Sequence, residues 1–140
     1  MAAYNATNYA TLPASSHGFA GNCKVKHWTV SPTAALTTSD TFAFGYLPAG
    51  ARVVLAVLEA TDMDTNGTPT LTINVGDSGD ADRIFAASTV GQAGTLSTAI
   101  ATTGAGYQYT SKTLITGAPS ANAATGVAGT LNLTVFYVVD

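Results

Sequence analysis

Residues Asp62 to Gly67 read Asp-Met-Asp-Thr-Asn-Gly. Oxygen-bearing side chains at every second position are what a calcium ion takes from the first half of an EF-hand loop. Such a loop closes on a bidentate glutamate at its last position, and here that position is Ile73. An EF-hand also needs a helix on each side, whereas Val53 to Glu59 (VVLAVLE) and Thr70 to Val75 (TLTINV) are β-type runs. Asp, Asn and Gly tolerate positive φ and hydrogen-bond their own backbone, so a hairpin turn accounts for the stretch without a metal. The second acidic run, Gly76 to Arg83 (GDSGDADR), follows the strand that the first precedes. At ~3.3 Å per residue the two lie roughly 25 Å apart and cannot share one ion within a subunit. Asp77, Asp80 and Asp82 could hold calcium by themselves, and Arg83 beside them is equally placed to neutralise the cluster.

Catalytic groupings are thin. Nucleophilic catalysis needs a base and an orienting group, and the chain has two histidines, His17 and His27, and one cysteine, Cys23. His17 reads as an exposed loop residue and His27 as a strand residue with one or two hydrogen bonds. Cys23 reads as a small packing group, and a lone cysteine forms no intramolecular disulfide. A glycosidase pair would have to come from Asp40, Glu59, Asp62, Asp64, Asp77, Asp80, Asp82 and Asp140, most of which fall in turns where Asp serves the backbone. No cofactor is expected, and the chain is read as a non-enzyme.

Composition bears on partners. Charged residues are 9 % of the chain and apolar residues 46 %, against ~25 % charged in an ordinary soluble domain. Low charge with abundant Thr, Ala and Gly suits a chain packed against copies of itself or a larger assembly, since interface cores are depleted in charge. A net charge of -3 with five basic residues excludes the basic track that nucleic acid requires. No run approaches the ~18 apolar residues of a membrane helix, and the N-terminus lacks the basic start and apolar core of a secretory leader. Neither nucleic acid nor membrane is an expected partner.

The elements that must position these residues are strands. Residues 1–20 show no periodicity and carry isolated aromatics, Tyr4, Tyr9 and Phe19, which predicts an extended N-terminal arm. Residues 21–140 predict one β-sandwich domain of about eight strands: 23–30, 41–46, 52–60, 70–75, 83–88, a weak one at 107–110, 113–116 and 130–139. Along 23–30, Lys24, Lys26, Trp28 and Val30 share one face. The nearly continuous apolar run 52–60 predicts a strand buried on both faces. Leu47 to Gly50 (LPAG) predicts a type I turn, and an extra edge strand fits only around Leu96 to Ile100. The expected fold is all-β, a two-sheet jelly-roll-like sandwich.

Four stretches, Pro48 to Asp77 (PAGARVVLAVLEATDMDTNGTPTLTINVGD), Asp82 to Gly94 (DRIFAASTVGQAG), Gly106 to Ile115 (GYQYTSKTLI) and Leu133 to Asp140 (LTVFYVVD), resemble the small β-sandwich decoration, or cement, proteins that coat the heads of tailed phages. The resemblance spans most of the chain after Pro48. It implies a jelly-roll-like sandwich on the outer surface of an icosahedral head, holding neighbouring subunits of the major capsid protein together as a homo-oligomer, a trimer or dimer. It carries no active site. Tyr4, Tyr9, Phe19 and Trp28 are the candidate contacts to the capsid or to sister subunits. The alternative is a carbohydrate-binding or adhesion β-sandwich, which should cluster exposed aromatics with acidic or amide partners at one end, whereas the aromatics here spread along the chain.

Overall fold

The computed structural model describes residues 22–140, an all-β sandwich. Eight strands run in order: β1 (Lys24–Val30), β2 (Phe42–Leu47), β3 (Ala51–Ala60), β4 (Thr72–Asp77), β5 (Asp80–Ser88), β6 (Leu96–Ser97), β7 (Thr113–Ala121) and β8 (Leu131–Val139). They form two four-stranded sheets, ordered β1-β8-β3-β6 and β2-β7-β4-β5. First pairs with last inward along the chain, β1 with β8, β2 with β7, β3 with β6 and β4 with β5, all antiparallel. A long folded ribbon rolled across two sheets is the jelly roll. Tyr4, Tyr9, Phe19 and His17, and the predicted arm, lie outside the described residues.

Alternation builds the core. In β8, Leu131, Leu133, Val135 and Tyr137 are buried while Asn132, Thr134, Phe136 and Val138 are half-buried on the other face. Facing them from the second sheet are Leu71, Ile73, Val75, Ile84, Phe85 and Ile115, each 0–1 % exposed. Each such side chain contributes about 1.5–3 kcal/mol by leaving water.

The structure corrects several expectations. Strand β3 is buried on one face only: a bulge between Val53 and Leu55 leaves Val54 and Leu55 52 % and 40 % exposed. Residues 107–110 make no strand but one bridge, Arg52 with Gln108, and the edge strand near 96 is two residues long. Strand β7 runs on to Ala121 through Gly117 and Pro119. Pro119 is tolerated because β2 pairs with β7 only as far as Gly117, so its missing N–H faces an unpaired side. The turn into β3 closes one residue later than predicted, with Ala51 N–H donating to Pro48 O at 3.2 Å. Gly50 stands at its third position with φ +82°, the requirement of a type II turn.

Candidate functional site

The Asp62–Gly67 run is not a hairpin. It carries the chain from β3 in one sheet to β4 in the other. Asp62 Oδ1 accepts the Asp64 amide at 3.1 Å, and Asn66 Oδ1 accepts that of Thr68 at 2.8 Å. Asp64 is fully buried. Its Oδ2 accepts the amides of Thr70 (2.7 Å), Leu71 (3.0 Å) and Ala124 (3.0 Å), and its Oδ1 that of Thr125 (2.8 Å). Burial alone would raise its pKa, but the amides of Thr125, Ala124, Thr70 and Leu71 outweigh it and hold the carboxyl well below the ordinary carboxylate range. The spacing that resembles a calcium loop is therefore occupied by backbone donors, and its product is a knot joining the β3–β4 crossover to the β7–β8 connection.

In the second acidic run, Arg83 takes the neutralising role. Its Nε donates to Asp77 Oδ2 at 2.6 Å, and Asp77 Oδ1 accepts the amides of Gly79 and Asp80 at 2.8 and 3.2 Å. Burial raises the Asp77 pKa, and the Arg83 hydrogen bond with the Gly79 amide lowers it by more. The guanidinium also stacks 3.8 Å from the centroid of Tyr107, which meets Tyr109 edge-on at 5.0 Å. Arg83 Nη1 also lies 3.8 Å from Asp80 Oδ2, while Asp82 stays exposed on β5, at the margin of the sheet.

The other candidates do not converge. His27 is exposed, and its Nδ1 hydrogen-bonds Thr134 Oγ1 at 2.8 Å. Cys23 is exposed, not packed as expected, because it precedes the first paired residue of an edge strand. Among the described residues no three of His, Cys, Asp and Glu are placed to hold a metal ion together. Trp28 reaches from β1 across the open side of the sandwich and lies against Gly45 of β2, where a side chain would collide with the indole. The exposed aromatics have their faces covered: Lys112 Nζ sits 4.5 Å over the Tyr46 ring and Arg83 over Tyr107. Neither ring offers the bare platform on which a sugar stacks.

What the sheets do present is a broad face. On the outer side of β1-β8-β3, register aligns Val25, Phe136 and Leu55 in one row and His27, Thr134 and Val57 in the next. The third row is Thr29, Asn132 and Glu59. Thr29 Oγ1 donates to Asn132 Oδ1 at 2.7 Å, and Asn132 Nδ2 to Glu59 Oε1 at 3.0 Å. Val25 is 52 % exposed, and the three rows hold apolar and polar groups with one imidazole and a single carboxylate. Alternation in β1 and β8 places Val25 and Phe136 opposite the core residues. The continuous apolar run of β3 hid Leu55, because only its bulge turns that residue outward.

No protein-family model and no curated protein matches the chain. Among solved structures, a chain of the cyanophage Pam1 capsid asymmetric unit is 46 % identical over 100 % of both chains, with a TM-score of 0.86. A chain of the capsid of Ralstonia phage GP4 is 30 % identical over 92 % of both, with a TM-score of 0.76. The chain belongs to a family of phage capsid proteins. A chain from the acid-stable capsid of Helicobacter pylori bacteriophage KHP30, 18 % identical over 84 % of this chain and 94 % of that one with a TM-score of 0.56, shares the fold.

Proposed function

We propose that this capsid-family protein is a decoration protein, one that binds the outer surface of a phage head and cements neighbouring subunits of the major capsid protein. The observation that supports it is the outer face of β1-β8-β3, where Val25, Phe136, Leu55 and Val57 lie side by side on exposed strands with one carboxylate among three rows. Contiguous apolar surface of this kind marks a protein interface, and depletion of charge is the compositional signature of an interface core. Self-association and arm contacts through Tyr4, Tyr9 and Phe19 belong to the same reading. Trp28, half-buried beneath β2, contributes its rim.

Val25→Asp with Leu55→Asp places two carboxylates on that face at positions already exposed, so the melting temperature should stay within a few degrees of wild type. Wild-type protein added to heads lacking it should co-sediment with them, and the double variant should bind at least about tenfold more weakly, as buried unpaired charge demands. Failure of the wild-type protein to bind intact heads would overturn the proposal.

A further inference from the structure

The five basic side chains are divided by use. Arg52 pairs with Asp140 at 2.7 Å, and Arg83 pairs with Asp77 at 2.6 Å. Lys24, Lys26 and Lys112 enter no ion pair among the described residues, and residues 1–21 contain neither Asp nor Glu to serve them. All three gather at one edge of the sandwich. Lys24 and Lys26 sit on β1, the edge of the first sheet, and Lys112 directly precedes β7 where β7 begins its pairing with β2, the edge of the second. All three are exposed. Lys26 and Lys112 rim a recess of about 330 Å³ walled by Tyr46, Leu47, Pro48 and Tyr137.

The opposite edge of the second sheet is β5. Arg83 pairs with Asp77 at 2.6 Å and with Asp80 at 3.8 Å, so one guanidinium serves Asp77, Asp80 and the exposed Asp82, and the edge carries an excess of negative charge. The Asp80 carboxyl beside it pushes the Asp82 pKa up, so an incoming cation is favoured there. The two edges lie toward the same end of the strands: β7 meets β2 at Thr113 and β4 at Thr116, next to the β4–β5 turn. Edge strands β2 and β5 are three strand spacings apart, roughly 14 Å, and Lys112, directly before β7, is two spacings from β5, roughly 10 Å. At about one Debye length, ~8–10 Å at physiological salt, the attraction between the two edges within a chain is largely screened.

We propose that the lysine edge of one copy docks on the Asp80–Asp82 edge of a second copy, so that copies associate head to tail. The contact is heterologous: different patches meet, and repetition closes a ring when the rotation allows. The inference deepens the self-association in the proposed function and rests on it. Opposed charges at the rim set register and on-rate, while Tyr46 and the recess supply apolar contact.

Four purified proteins test it by light scattering at micromolar concentration and low salt: wild type, Lys26→Glu/Lys112→Glu, Asp80→Lys/Asp82→Lys, and the chain carrying all four changes. Circular dichroism and melting temperature confirm the fold of each. Wild type should be oligomeric and fall apart as salt rises. Each two-site variant should associate at least about tenfold more weakly, while mixing the two, or combining them in one chain, should restore association. A monomeric wild type at low salt, or a two-site variant with wild-type mass, overturns the contact. The same proteins added to undecorated heads separate the two readings. Decoration by wild type with masses that ignore the swaps defeats the contact alone, and swaps that behave as expected with no decoration defeat the decoration role alone.

Discussion

At Asp64, burial and hydrogen bonding pull the proton affinity in opposite directions, and four backbone amides decide the outcome. A carboxyl whose folded pKa is depressed adds stability above its unfolded value near 3.9 and loses it as pH falls through the folded value. Asp77 is depressed in the same sense. Thermal stability should therefore hold from neutral pH to about 4 and fall below it. Asp64→Asn sets an NH₂ against amide donors, so its melting temperature at pH 7 should drop by roughly 10 °C or more, and its decline between pH 4 and 2 should be shallower than that of wild type. An unchanged melting temperature would show that the knot is dispensable. The acidic spacing was legible in the sequence and its purpose was not, because the donors come from residues 70–71 and 124–125, brought together only by the fold.

Among the elements, alternation located β1, β2, β4, β5 and β8 within a few residues. It failed where side chains are small. The Gly-Ala-Pro-Ser tail of β7 carries no apolar period, yet Gly117 is needed there because a side chain would press on Phe42 and Phe44. In β3 the continuous apolar run masked a bulge. The link between the two edge strands β1 and β2 is also a matter of space: Gly45 leaves room for Trp28, the only tryptophan. Gly45→Ala should displace the indole, costing roughly 1–3 kcal/mol as overpacking does and red-shifting tryptophan emission as the ring moves toward water. Emission and stability both equal to wild type would show that the indole is not wedged there.

For the whole molecule, the class followed from turn spacing, but the assignment of strands to sheets did not. Asp62–Gly67 looked like a hairpin because a short polar loop between two β runs has the same local chemistry whether the second strand pairs with the first or crosses to the facing sheet. Topology in turn sorts the surface. The register aligns a face of low charge on β1-β8-β3, and the sheet orders bring lysines without an ion pair among the described residues toward one edge and Asp80 and Asp82 to the other. The most direct test is cryo-electron microscopy of heads lacking this protein, imaged before and after adding it. Added density outside the shell, bridging neighbouring capsid subunits with the outer face of β1-β8-β3 turned toward them, is the expected result. Density within the shell itself, or none, would contradict the decoration role.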